Sequence, residues 1–143
     1  GLLIKKPIDR LSIEELTSLI GVNYTGAVNV AIAAKPYLLE TSGMLMNFTS
    51  SSYTRGRAFY AVYSSTNAAI VNFTQALAEE WSNEGIRVTC INPERTATPM
   101  RTANFGIEPA GLLLSAQEVA LASLKVLGTQ NTGIIVDVRK DGR

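Results

Sequence analysis

Three polar side chains in the middle of the chain have the types and spacing needed for proton transfer at a carbonyl or an alcohol. Ser50 follows an apolar run, Tyr63 lies thirteen positions later, and Asn67 lies four positions after Tyr63. Residues i and i+4 of a helix share a face, so Tyr63 and Asn67 can point at one spot, which Ser50 reaches from the preceding strand. A phenol and a hydroxyl that converge in this way can protonate a reacting oxygen and hold it in place.

This segment resembles the active-site segment of the short-chain dehydrogenase/reductase family, in which a serine precedes a Tyr-x-x-x-Lys motif by about this interval. The resemblance implies that Tyr63 is the general acid or base and that Ser50 orients the substrate oxygen. In the family, the lysine binds the nicotinamide ribose and favours the phenolate, and Asn67 stands at its position. A phenol of pKa about 10 is a poor base at neutral pH unless a nearby cation shifts it by roughly 1–3 units. Asn67 can hydrogen-bond a ribose hydroxyl but supplies no charge, which predicts impaired catalysis.

The loop after the apolar run Val88–Ile91 carries a second resemblance. It resembles the family's Pro-Gly motif and the threonines that contact the nicotinamide carboxamide and phosphate. The residues that carry this resemblance are Asn92, Pro93, Thr96, Thr98, Pro99 and Met100. Glu94 replaces the usual glycine, so the turn there must either avoid a positive φ or be strained to reach it. An ordinary proline-rich connector is the alternative.

The resemblance implies a nicotinamide cofactor, NAD or NADP, for the intact parent protein rather than for this part alone. The residues implied to bind it are Tyr63, Asn67, Pro93, Thr96 and Thr98. The resemblance also implies that Asn23, within the sequence VNYTG, bends a long helix and holds a catalytic water that relays protons. A helix kink stabilised by a polar side chain is the alternative, because a buried asparagine needs hydrogen-bond partners in any role.

Arginines cluster in the two loops that would border the pocket, at positions 55, 57, 95 and 101. The planar guanidinium fork suits phosphate oxygens, so these loops favour a phosphorylated substrate. We predict that Arg95 and Arg101, together with Ser50, bind the substrate. Exposed arginines that are merely solvated are the alternative.

Within the family, the run INPERTATPMRT, with TG and DVR near the C-terminus, looks most like the reductase part of bifunctional ribulose-5-phosphate reductase/CDP-ribitol pyrophosphorylases. That resemblance implies NADPH-dependent reduction of a sugar-phosphate ketone, in a polypeptide that also carries a cytidylyltransferase domain. The competing hypothesis is a non-catalytic assembly module, a homo-oligomer built through the two long helices. The small residues that would allow such packing are Ser65, Ala68, Ala69, Asn72 and Ala76.

Apolar periodicity and capping signals predict three helices that alternate with three strands. The helices are predicted to begin at Ser12, near Tyr60 and at Ser115, and the strands are Met44–Thr49, Ile86–Ile91 and Ile134–Val138. Such alternation implies a parallel sheet covered by helices on both faces. The predicted fold is therefore α/β, the C-terminal half of a doubly wound, Rossmann-like sheet with three strands and flanking helices.

Glycine and proline mark the predicted boundaries. Gly43 is predicted to end the first long helix and Gly85 the second. Prolines at positions 93, 99 and 109 forbid a long regular element before Ser115, which predicts an irregular, functional connection.

The strand and Gly-rich turn with which the family begins, and which cradle the dinucleotide pyrophosphate, are not found in the sequence. We therefore predict that residues 1–143 are a single partial domain without the nucleotide-binding N-terminal half. Strand Met44–Thr49 would then be an exposed apolar edge, which favours oligomerisation.

Composition argues against several function classes. The 143 residues carry 13 basic and 12 acidic side chains, so no field of one sign attracts nucleic acid or a membrane surface. The sequence has no histidine, which argues against histidine triads and most metal sites, zinc above all. A single cysteine, Cys90, rules out an intramolecular disulfide and suits a reducing compartment. With no signal peptide and no run of about 18 apolar residues in the sequence, we expect a cytoplasmic protein.

Overall fold

In residues 1–140, which the computed structural model describes, parallel strands in the order β1-β2-β3 form the central sheet. The strands are β1 (Met44–Phe48), β2 (Arg87–Pro93) and β3 (Ile135–Val138). Leu45 pairs with Val88, and Cys90 pairs with Ile135, so β2 lies between the other two. The predicted α/β class and parallel sheet are confirmed. β1 lies at one edge of the described sheet, as expected.

The two faces of the sheet are covered by different helices. The helices are α1 (Ile13–Ile20), α2 (Gly26–Thr41), α3 (Ala61–Glu80), α4 (Pro99–Phe105) and α5 (Ala116–Leu127). Because side chains alternate along a strand, Leu45 packs with Leu77 of α3 and with Trp81 just after it, whereas Met46 packs in the cluster that contains Val126 of α5. Cys90, in the middle strand, is fully buried, and this burial raises the pKa of its thiol to about 12.

Local capping signals set the starts of two helices. The Ser12 side chain accepts from the Glu15 backbone N–H, and the Glu15 carboxylate accepts from the Ser12 N–H. Ser115 and Glu118 make the same reciprocal pair at the start of α5. Both capping boxes that the sequence predicts are therefore present.

The C-terminal end of α2 differs from the prediction. Ser42, not Gly43, is the left-handed residue that ends the helix, with φ of 47°. Gly43 serves a different purpose, because a Cβ atom there would lie 2.8 Å from Cδ2 of Leu38. Gly85, with φ of 72°, ends the 3-10 turn Ser82–Glu84, whereas α3 itself already ends at Glu80, before the glycine predicted to stop it.

The proline-rich connection after β2 contains the short helix α4, which the sequence pattern does not predict. Pro99 stands in its first turn, where proline is tolerated because the N–H it lacks would have no partner there, and the Thr98 side chain accepts from the Arg101 N–H. Proline is therefore compatible with the start of this helix, although a proline in the middle of a helix would break it.

A π-helical turn, Gly21–Thr25, joins α1 to α2, so that Ile13–Thr41 forms one continuous helix. By length and composition this helix is apolar enough to cross a membrane, a feature that the sequence expectation did not include. Only 11% of its most apolar window is buried within the described residues. Several large hydrophobic side chains are exposed along it, namely Ile13, Val22, Val30, Ile32 and Tyr37. The same composition is typical of a helix that packs against another protein surface.

Candidate active site

A pocket of about 470 Å³ opens where the chain leaves β1 and β2. Ser50 and Tyr63 both line it, so the structure brings the two predicted catalytic hydroxyls to one cleft. Thr49 continues the sheet for one residue past β1, because its N–H donates to the Ile91 carbonyl at 2.9 Å. Ser50 therefore leaves the sheet at its carboxyl edge, where open α/β sheets bind ligands.

Ser50 is held as a hydrogen-bond acceptor by the residue two positions later. Its Oγ accepts from the Ser52 N–H at 3.3 Å and from the Ser52 hydroxyl at 3.2 Å. A serine hydroxyl has two acceptor lone pairs and one proton. Since both lone pairs are engaged, the proton of Ser50 is left to donate to an oxygen in the pocket. The sequence analysis did not single out Ser52, although it lies in the same Ser/Thr cluster.

Asn67 is hydrogen-bonded both within its own helix and to Thr49, whose hydroxyl also lies 3.4 Å from Asn67 Oδ1. Its Nδ2 donates to the Tyr63 carbonyl at 2.8 Å, and the Thr49 hydroxyl donates to the Asn67 backbone carbonyl at 2.9 Å. The residue is 8% exposed. Asn67 therefore lies at the family's lysine position as a buried, uncharged amide.

Asn23 lies in the π-helical turn and is held by the N-terminal segment. Its Oδ1 accepts from the Leu2 N–H at 2.7 Å, and its Nδ2 donates to the Leu2 carbonyl at 2.8 Å. A second cavity, of about 330 Å³, brings Asn23, Asn67 and Tyr63 together. The predicted helix irregularity at VNYTG is present as this π turn, a type of bulge that is frequent at functional sites. The relay water itself stays a prediction.

The first pocket is also lined by Pro93, the last residue of β2, and by Thr96 and Thr98 of the loop that follows. The Thr96 hydroxyl donates to the Glu94 carbonyl at 2.9 Å. Of the two expected alternatives, Glu94 avoids a positive φ, since the non-glycine residues with positive φ among the described ones are Ser42 and Phe59. Its N–H donates to the Val138 carbonyl at 2.9 Å, which ties the loop to the end of β3.

Arg57, Arg95 and Arg101 line the first pocket, but Arg55 is not among its lining residues. Arg101 donates from Nη2 to Oε1 of Glu108 at 2.9 Å and from Nε to the other carboxylate oxygen. This guanidinium lowers the pKa of Glu108 below its ordinary value. The sequence analysis missed Glu108, because no local spacing rule pairs an arginine with a glutamate seven positions later.

Comparison with known proteins finds one family whose members resemble this chain in sequence. A family model described as short chain dehydrogenase matches residues 1–106. The bifunctional ribulose 5-phosphate reductase/CDP-ribitol pyrophosphorylase of Haemophilus influenzae is 58% identical over 133 residues, which are 93% of this chain and 28% of that protein. An uncharacterized oxidoreductase of Staphylococcus epidermidis is 35% identical over 129 residues, which are 89% of this chain and 55% of that protein. The chain thus spans 28% and 55% of the lengths of these two relatives.

Two solved structures show the same fold. The 3-ketoacyl-(acyl-carrier-protein) reductase of Brucella melitensis, complexed with NADH, superposes with a TM-score of 0.87 at 26% identity, over 99% of this chain and 64% of that one. A short chain dehydrogenase of Salmonella enterica superposes with a TM-score of 0.87 at 28% identity, over 96% of this chain and 58% of that one.

Proposed function

Since the chain belongs to the short-chain dehydrogenase/reductase family, we propose that it is the C-terminal part of an NAD(P)-dependent reductase domain acting on a sugar-phosphate ketone. Ribulose 5-phosphate is the proposed substrate, and the proposed parent polypeptide also carries a cytidylyltransferase domain. The observation that carries the reductase assignment is that Ser50 and Tyr63 line one pocket at the carboxyl edge of the sheet. The 58% identity to a ribulose 5-phosphate reductase supports the choice of substrate.

The described residues fit the nicotinamide end of the cofactor. Pro93, Thr96 and Thr98 line the first pocket, and Tyr63 lines both that pocket and the adjoining cavity that Asn67 lines. When bound, the cofactor supplies a hydride to the carbonyl carbon. Among residues 1–140 no Gly-rich turn joins a strand to a helix, so the pyrophosphate must be held by other parts of the parent protein.

The hydroxyl groups of Tyr63 and Ser50 carry out the remaining steps. Tyr63 donates its phenolic proton to the carbonyl oxygen as negative charge develops there. Ser50 donates a hydrogen bond to the same oxygen and so holds it in place, because Ser52 occupies both of its lone pairs. Asn67 offers an amide to a ribose hydroxyl without adding charge.

The test is reduction of D-ribulose 5-phosphate by the full-length protein, followed through consumption of NADPH and then of NADH. We expect Tyr63→Phe to lower kcat by about 10²- to 10⁴-fold, because a positioned proton donor contributes that much. Tyr37→Phe, the same chemical change at an exposed position on α2, is the matched control. If neither NADPH nor NADH binds the full-length protein in a titration, the reductase assignment is wrong.

The uncovered apolar surface of Ile13–Thr41 supports a second proposal, that the chain also forms a homo-oligomer through its two long helices. On α3 the small residues predicted for this contact are exposed or half-buried: Ser65, Ala68, Ala69, Asn72 and Ala76. We expect Ala68→Arg to lower the mass of the full-length protein in multi-angle light scattering. Gln117→Arg, on the exposed side of α5, should leave the mass unchanged. A monomeric unmodified protein would contradict this proposal.

A further inference from the structure

The three arginines of the first pocket are in different electrostatic states. Arg101 is bound twice by Glu108, and its guanidinium carbon lies 4.7 Å from the ring centre of Phe105. Arg95 shares the same carboxylate at 3.9 Å. Glu108 therefore offsets much of the charge that these two residues bring to the pocket.

Arg57 is different, because within residues 1–140 no carboxylate lies within ion-pair distance of it. The residue is half-buried and lines the same pocket as Ser50 and Tyr63. A partly desolvated guanidinium without a counter-ion attracts an anion more strongly than one already paired with a carboxylate.

The backbone around Arg57 is held in place by the residues that follow it. The Tyr60 N–H donates to the Arg57 carbonyl at 3.4 Å. Phe59 has a left-handed φ of 69°, and its carbonyl accepts from the Lys6 N–H at 2.6 Å. A non-glycine residue in this conformation is strained and persists only where the surroundings impose it. The segment that carries Arg57 is therefore held on its C-terminal side.

We propose that Arg57 binds the phosphate of the substrate while the carbonyl oxygen lies at Ser50 and Tyr63. This inference rests on the proposed function and goes beyond it by assigning the phosphate to one residue. The planar guanidinium can donate two parallel hydrogen bonds to phosphate oxygens, a geometry that an ammonium lacks. Arg95 and Arg101 are the arginines predicted from the sequence to bind the substrate. To bind the phosphate, they would first have to break their ion pairs with Glu108.

The test compares two substrates in the full-length protein, D-ribulose 5-phosphate and unphosphorylated D-ribulose, with NADPH in excess. We expect Arg57→Met to lower kcat/KM for D-ribulose 5-phosphate by about 30- to 100-fold. This loss is at the low end of what removal of one partner of a buried charge pair costs, because the site is only half-buried. The kcat/KM for D-ribulose should change by less than about threefold, since that substrate carries no phosphate for Arg57 to bind. Arg57→Lys should recover part of the loss. Arg55→Met, in the same loop but not lining the pocket, is the matched control.

An equal loss with both substrates, or no loss with either, would overturn the role of Arg57 and leave the reductase proposal standing. Calorimetric titration with D-ribulose 5-phosphate separates the two proposals if the unmodified protein reduces neither substrate. In that case the proposed function fails, while binding that is lost in Arg57→Met and kept in Arg55→Met still supports the phosphate site. Absence of binding to the unmodified protein, or equal binding in both variants, would contradict it.

Discussion

Asn67 and Tyr63 are joined by a hydrogen bond from the Asn67 Nδ2 to the Tyr63 backbone carbonyl, at 2.8 Å. The contact runs back along α3 by one turn, so the amide stabilises the helix and does not bring a charge towards the phenol. The cavity of about 330 Å³ that both residues line lies beside this contact. A longer cationic side chain at position 67 could therefore enter the cavity next to Tyr63.

We predict that Asn67→Lys raises the rate of sugar-phosphate reduction by the full-length protein by about 10²-fold, because a nearby cation favours the proton transfer that the phenol performs. The alkaline limb of the pH–rate profile should also move to lower pH. Steady-state kinetics across the pH range measure both effects. Gln75→Lys, which adds the same charge at an exposed position of α3, controls for net charge. A variant at position 67 that folds but gains no rate would favour the assembly module over the enzyme.

Ser52 is predicted to position Ser50. Removal of its hydroxyl in Ser52→Ala frees one lone pair of Ser50, whose proton then has other orientations available. We expect kcat to fall by about 3- to 10-fold, the worth of one hydrogen bond, with KM nearly unchanged. Thr54→Ala removes an exposed hydroxyl of the same turn and should leave kcat unchanged. If Ser52→Ala raised KM without lowering kcat, the positioning role would be wrong.

Features that depend on a few neighbouring residues were predictable from the sequence. The capping boxes at Ser12 and Ser115 each need only a glutamate three positions later, and both are present. The apolar runs that became β1, β2 and β3 predicted the sheet for a similar reason, since buried parallel strands require apolar side chains on both faces.

Features that depend on how the backbone folds between residues more than one helical turn apart were not predictable. Glu108 pairs with Arg101 only because α4 and the following loop bring the two together. Ser42 ends α2 one residue before the predicted glycine, and a Cβ atom at position 43 would lie 2.8 Å from Cδ2 of Leu38. The prediction that Gly43 ends the helix was therefore wrong by one residue, and the glycine lies instead at a close contact with Leu38.

The carboxyl of Glu118 provides a pH-dependent test of the contact between α5 and Lys140. A hydrogen bond from Lys140, together with the cap at Ser115, lowers the pKa of Glu118 from 4.5 to about 2. Because the folded value lies below the unfolded one, its stabilisation is present above pH 4.5 and is lost as the pH falls towards 2. We therefore expect Glu118→Gln to have a lower Tm than the unmodified protein at neutral pH, and this gap should shrink between pH 4.5 and 2. Glu40→Gln, an exposed carboxyl on α2, is the control in differential scanning calorimetry.

Ser42 carries a conformational cost that glycine would remove. Its φ of 47° lies in the left-handed region, where a Cβ atom costs about 1–2 kcal/mol and where the extra chain entropy of glycine offsets part of the gain. We predict that Ser42→Gly stabilises the protein by about 0.5–1 kcal/mol, measured from the midpoint of urea unfolding. Ser42→Ala removes the hydroxyl but keeps the Cβ atom, so it should give no such gain. If both variants shifted the midpoint equally, the effect would belong to the hydroxyl, and the left-handed cap would not be the cause.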